Sequence, residues 1–242
     1  MKNSIEVINL SKSYKTKKAV NNISFKIDEN EIVGLLGPNG CGKTTTIGMI
    51  LGLLKPTSGQ VLINGKNIEN NKISILHKMN FISPYIELPK KLTVKQNLIV
   101  YGKLYNIKNL NERINFLSEK LRLGDLLDKI TGELSSGQKN RVSLAKALIN
   151  DPTVLLLDEP TAALDPETAD FIRTFLEKLR EEKKISVLLA SHNMDEVKRL
   201  CNSVMMMKDG NIVDSGTPEN LIKKYGQKNL EEVFLEIVMK DK

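Results

Sequence analysis

An α/β fold built around a parallel sheet is what this sequence predicts, and three observations carry that prediction. The runs "EIVGLLG", "TVLLLDEP" and "ISVLLASH" are nearly continuous in apolar residues, as strands buried on both faces are. Stretches of helical length separate them: "KTTTIGMILGLL" after the first, and "PETADFIRTFLEKLREEK", with Pro166 near its first turn, after the second. Strands that alternate with helices require crossover connections, and these cover the sheet on both faces.

The remaining elements follow in chain order. "IEVINL" and "NISFKID" read as early strands joined by a basic turn, "SKSYKTKKAV". "GQVLING" reads as another short strand. From about Thr93 to Lys129 the pattern becomes helical, in "TVKQNLIVYGKLY" and "NLNERINFLSEKLRL", so residues 85–150 read as an inserted helical unit. "SVMMMKDG" is most simply a buried strand, its methionines implying no cofactor. In the tail, Leu230, Val233, Phe234, Ile237 and Val238 recur at helical spacing and predict one apolar face, packed on the chain's own core by default, with dimer contact as the alternative.

Composition bounds the function. The 242 residues suit one large or two small domains, and 40% hydrophobic with 27% charged residues excludes disordered and fibrous classes. No apolar run approaches the roughly 18 residues of a membrane span, and "MKNSIEVINL" lacks a signal-peptide core, so a cytoplasmic chain is expected. Cys41 and Cys201 lack metal-type spacing and fit a reducing compartment. The net charge is +7, and Lys90–Lys146 holds twelve Lys/Arg against five Asp/Glu. That excess reads either as solvated helix faces or as a surface for nucleic acid or membrane.

Gly37-Pro38-Asn39-Gly40-Cys41-Gly42-Lys43-Thr44, followed by Thr45, satisfies G-x-x-x-x-G-K-[ST] between a strand and a helix. The glycines let backbone N–H groups turn toward phosphates, and the helix start adds its positive dipole end. Lys43 is placed to reach the β- and γ-phosphates, and the Thr44 hydroxyl to ligate Mg²⁺. At the end of a buried strand, Asp158 is suited to hold Mg²⁺ through its water shell and Glu159 to polarise an attacking water; a helix-capping turn is the alternative for "DEP". His192 closes another apolar strand, where a parallel sheet presents its ligand-binding edge. His77 reads only as a packed or surface residue. Tyr14 reads as an adenine platform or as an ordinary exposed tyrosine. No N-K-x-D element for guanine occurs, which favours ATP.

Together "GPNGCGKTT", "LSSGQKNRVSLAKAL", "VLLLDEPTAALDP" and "ASHNMDEV" resemble, in order and spacing, the nucleotide-binding subunits of ATP-binding cassette (ABC) transporters, over essentially the whole chain. The resemblance implies one cassette domain over 1–242. Its P-loop NTPase (RecA-like) core would take residues 1–84 and 151–242 and carry an N-terminal antiparallel β subdomain. A helical subdomain, 85–150, would end in the signature helix. It also implies adenine stacking by Tyr14, Mg²⁺ at Asp158, catalysis by Glu159 with Lys43, and a switch role for His192. The signature residues Leu134, Ser135, Ser136, Gly137 and Gln138 would cover ATP held by a second cassette, toward which Asp165 also points. A helix start with unpaired N–H groups suits that anion.

Two departures stand out. Ser136 replaces a usual glycine, and Pro84 occupies the place of a glutamine that touches Mg²⁺, with Ser83, Tyr85 or Glu87 as substitutes. The implied function is an ATPase that drives export through a permease on a separate chain, at the cytoplasmic face of the membrane. A homodimer and no direct nucleic-acid contact are expected. "NLEEVFLEIVMK" resembles the tails of drug, lipid and polysaccharide export cassettes. The rivals are a nucleic-acid- or ribosome-associated cassette and a non-hydrolysing module; the latter is weakened by the presence of both Glu159 and His192.

Overall fold

The computed structural model describes residues 3–15, 17–84, 86–182 and 185–239. Its strands are β1 (Asn3–Tyr14), β2 (Lys17–Asp28), β3 (Ile32–Leu36), β4 (Ser58–Ile63), β5 (Lys66–Asn67), β6 (Met79–Ile82), β7 (Val154–Asp158), β8 (Ser186–Ala190), β9 (Ser203–Lys208) and β10 (Asn211–Gly216). Its helices are α1 (Lys43–Ile50), α2 (Ile68–Leu76), α3 (Val94–Leu104), α4 (Leu110–Lys120), α5 (Ser136–Leu148), α6 (Pro166–Glu182), α7 (Met194–Leu200), α8 (Pro218–Tyr225) and α9 (Leu230–Met239).

An antiparallel sheet runs β2-β1-β4-β5, and a second runs β10-β9-β3-β8-β7-β6, with every neighbouring pair parallel except β9–β10. The α/β class with its antiparallel N-terminal sheet is therefore as expected. Alternation along the central strands sorts side chains between two cores. Leu155, Leu157, Val187 and Leu189 face the helices α3 to α6, whereas Val154, Leu156, Leu188 and Ala190 face the antiparallel sheet.

The basic turn expected over residues 11–20 is corrected. β1 continues to Tyr14 and β2 resumes at Lys17, pairing Ser13 with Lys18 and Tyr14 with Lys17. Register shifts at Leu10, Lys12 and Ser13 break the two-residue alternation, which hides these strands from a periodicity reading. Lys15, at φ 50°, makes the turn.

Thr93 caps α3 in a reciprocal capping box with Gln96. The tail follows its pattern: Leu230, Val233 and Ile237 are buried in the core, with Phe234 packed against it. Most of the Lys and Arg residues between Lys90 and Lys146 are exposed, as solvated helix faces are, while a few donate to carbonyls of the chain. Arg113 donates to the carbonyls of Leu148 and Ile149, and Arg141 to that of Arg122, where cations favour helix C-termini. Lys146, on α5, donates to the Phe81 carbonyl at 3.1 Å, with its ammonium 5.6 Å from the Tyr101 ring centroid. Among the described residues no helix is long and apolar enough to cross a membrane.

Burial pushes the Lys146 ammonium down to about 8 from the usual 10.5. The unfolded chain then holds this proton between about pH 8 and 10.5 while the folded one does not, so stability rises with pH across that window. Below it, the buried charge costs on the order of 3 kcal/mol. Lys146→Met should raise the urea midpoint at pH 7 and flatten the rise from pH 8 to 10 relative to wild type, as denaturation followed by circular dichroism checks.

Candidate active site

β3 delivers the chain directly into the loop Gly37–Gly42, squeezed between two neighbouring strands. A Cβ on Gly37 would lie 2.3 Å from the Met207 carbonyl oxygen, and one on Gly42 2.4 Å from that of Ala19. Gly42, at φ 115°, is also the N-cap of α1. The Cys41 N–H donates to the Pro38 carbonyl, and the Gly210 N–H to that of Cys41, locking the turn. The Cys41 thiol points inward and is buried; burial pushes it up, with the nearby Lys43 charge opposing. Only backbone is left at Cys41 for a ligand. The Lys43 ammonium donates to the carbonyls of Gly37 at 2.6 Å and Pro38 at 3.2 Å. Asn39, Gly40 and Thr44 are exposed and Thr45 is partly so.

Asp158 ends β7 opposite Ala190 and is 4% exposed. Burial pushes its carboxyl up, as does the Glu159 charge, while Lys43 and a hydrogen bond from Ser83 oppose the shift. The Ser83 hydroxyl donates to Asp158 Oδ2 at 3.5 Å. Of the substitutes for the missing glutamine that lie among the described residues, Ser83 is therefore the one brought to the aspartate. Glu87 is exposed and paired with Lys90 at 2.6 Å, and Tyr85 lies outside the described residues. Glu159 adopts φ 52°, a left-handed conformation costly for a non-glycine residue, held by its N–H donating to Ala190 at 2.8 Å. Its Oε1 lies 2.7 Å from Nδ1 of the exposed His192.

One cleft of about 690 Å³ is lined by Tyr14, the loop Gly37–Thr45 apart from Cys41, Pro84, Asp158, Glu159 and His192. Tyr14 is 47% exposed, with the Lys12 ammonium 5.3 Å from its ring centroid. The cleft also contains Phe234 of α9, which is packed against the core as well, a place on the cleft wall that helical periodicity does not mark. Lys17 and Ala162 line it as well; no motif marks Lys17, and Ala162 lies within "VLLLDEPTAALDP" without being singled out there.

Leu134, Ser135, Ser136, Gly137 and Gln138 do not line this cleft. Ser135 is the N-cap of α5 in a second capping box: its Oγ accepts from the Gln138 N–H, and Gln138 Oε1 from its own N–H. No acidic residue occupies the first turn. Leu134 is buried; Ser135 and Ser136 are exposed. Gly137 packs so closely on α6 that a Cβ would lie 3.0 Å from the Thr168 side chain. Asp165 is exposed, and its Oδ1 accepts from the Thr168 N–H at 2.9 Å, which holds its carboxyl below the usual range.

Among the described residues no cluster of three or more His, Cys, Asp or Glu is arranged to hold a metal by itself. The Thr44 hydroxyl with Asp158 and Ser83 is an all-oxygen set, which suits a hard divalent cation shared with phosphate oxygens. The desolvated Asp158 carboxylate, beside a second acid, is a group such a cation would stabilise.

Residues 20–162 match the family model described as ABC transporter, and a shorter stretch, 132–197, matches an AAA-domain model of a type IV toxin–antitoxin system. The chain is 35% identical over 229 residues to the choline transport ATP-binding protein OpuBA of Bacillus subtilis (strain 168), spanning 93% of this chain and 60% of that protein. It is 34% identical over 224 residues to the ABC transporter ATP-binding protein NatA of the same organism, spanning 91% of each. To the Nod factor export ATP-binding protein I of Burkholderia lata it is 35% identical over 221 residues, spanning 90% of this chain and 72% of that protein. Two solved structures are similar. One is an ATP-binding subunit of an ABC transporter, with TM-score 0.88 and 26% identity over 96% of this chain and 98% of that one. The other is a dimeric ATP-binding cassette in a post-hydrolysis state with ADP and Pi, with TM-score 0.80 and 27% identity over 88% and 98%.

The loop geometry separates two glycines. Gly37→Ala drives a methyl into a backbone carbonyl and should abolish nucleotide binding. Gly40→Ala, at φ 80° with open space around it, should cost only about 1 kcal/mol of backbone strain. Calorimetric titration with ATP and thermal melts of both variants check the contrast.

Proposed function

Because the chain belongs to the ABC transporter family, as an ATP-hydrolysing cassette, we propose that it dimerises around MgATP and powers export through a permease on a separate chain. The observation that carries this reading is the cleft that joins Lys43, Asp158, Glu159 and His192 while leaving the signature turn outside it.

In this reading the phosphates lie along Gly37–Thr45, and the Lys43 ammonium exchanges two loop carbonyls for β- and γ-phosphate oxygens. Thr44, Asp158 and Ser83 would hold Mg²⁺, which when bound offsets charge on the phosphate oxygens. Glu159 orients a water in line with the γ-phosphate, and its contact with His192 fixes the carboxylate's direction. Tyr14 stacks on the adenine. The α5 start of a second copy, with Ser135 and Gly137, then covers the γ-phosphate, so ATP joins two half-sites and hydrolysis parts them.

The dimeric similar structure and the transport names of the relatives support this assembly. Export rests on the tail pattern and the Nod factor export relative. Residues 85–150 form the helical subdomain, its helices before the signature dock the permease, and the cassette works at the cytoplasmic face of the membrane. The transport names of the relatives favour this reading over a nucleic-acid role.

Glu159→Gln should hydrolyse ATP at least a hundredfold more slowly and elute as a dimer with MgATP; a monomer at saturating nucleotide would count against the assignment. Lys43→Ala should lose ATP binding in calorimetric titration, and affinity equal to wild type would remove the loop from the mechanism.

A further inference from the structure

Glu196, on α7, is 1% exposed. Its two oxygens are divided between two segments. Oε1 accepts from the Thr161 hydroxyl at 2.8 Å, and Oε2 from the Ser191 hydroxyl at 2.6 Å. Thr161 lies two residues beyond Glu159, and Ser191 immediately precedes His192. Each oxygen therefore grips the exit of one strand, β7 or β8.

The grip is braced from its own side. Ser191 Oγ accepts from the Asn193 N–H at 3.1 Å, and Asn193 Oδ1 accepts from the Glu196 N–H at 3.0 Å as the cap of α7. A short ring of hydrogen bonds thus links carboxylate, hydroxyl and helix start. On the other side Thr161 sits between two residues with left-handed backbone, Glu159 at φ 52° and Ala163 at φ 58°. Such backbone persists only where its surroundings over-determine it.

Burying a carboxylate is costly unless its lone pairs are satisfied. Burial pushes the Glu196 carboxyl up, while the hydroxyls of Ser191 and Thr161 and the charge of Arg173 oppose the shift. A carboxylate accepts from both hydroxyls at once, whereas an amide accepts at one end only.

We infer that Glu196 is a positioning residue for hydrolysis: it clamps Thr161 and Ser191 together, so that the exits of β7 and β8 hold Glu159 and His192 in their 2.7 Å contact. This rests on the reading of Glu159 as the residue that orients water. The clamp lies behind the pair and touches neither the glycine loop nor Tyr14, so it governs turnover and not nucleotide affinity.

Steady-state ATPase assays, calorimetric titration with ATP and thermal melts of the intact protein test it. Glu196→Gln should lower kcat at least tenfold while KM and the ATP Kd stay within about twofold of wild type and the chain stays folded. Thr161→Val, which removes one arm and keeps the carboxylate bonded to Ser191, should lower kcat less. The double variant should be no slower than Glu196→Gln alone. Wild-type kcat in Glu196→Gln overturns the proposal, as does a loss of kcat, ATP affinity and melting temperature in proportion. If Glu196→Gln does not fold, Thr161→Val decides by the same split between kcat and KM. Glu159→Gln assayed alongside separates the two readings: an active Glu159→Gln refutes the role of Glu159, whereas an inactive one beside a fully active Glu196→Gln refutes only the clamp.

Discussion

Parallel pairing of β3, β8 and β7 places three strand exits in a row, with Leu35 and Asp158 both opposite Ala190. Parallel strands all present their carboxyl ends at one edge, so residues far apart in the chain arrive side by side there. From β3 comes the glycine loop, from β7 Asp158 and Glu159, and from β8 Ser191 and His192. The glycine loop, the acidic pair and His192 inherit their positions from this register, whereas Tyr14, Lys17 and Phe234 are brought to the cleft by β1, β2 and α9. Leu155 and Leu157 on one face and Val154 and Leu156 on the other anchor β7 in both cores.

The same edge concentrates buried polar groups, each answered by a named partner. Lys43 is held by two loop carbonyls, Asp158 receives a hydrogen bond from Ser83, and Glu196 accepts from two hydroxyls. An uncompensated charge at any of these positions would be strongly destabilising. With the left-handed backbone of Glu159, the arrangement amounts to a preorganised set of dipoles and charges, the condition under which electrostatic catalysis is effective.

The signature turn has two local duties, capping α5 and packing against α6. Gly137 meets Thr168, and the N–H of Thr168 is bonded by Asp165. The two segments assigned to face a second cassette are thus joined through one residue at the start of α6.

By itself the sequence determined whatever depends on neighbours along the chain. The glycine loop between strand and helix, the apolar runs of β7 and β8 and the stripe on α9 all follow from backbone freedom and local periodicity. It did not reveal that β1 and β2 run on into residues 11–20, where bulges break the alternation, nor Phe234 as a wall of the cleft. Only the tertiary structure decided which substitute meets Asp158, since Ser83 lies 75 residues before it, and where Glu196 directs its oxygens. It likewise showed Arg113, Arg141 and Lys146 donating to carbonyls of the chain, while most of the basic run stays exposed. Such contacts join residues that are remote in the chain, so they exist only once the packed sheet has set the distances.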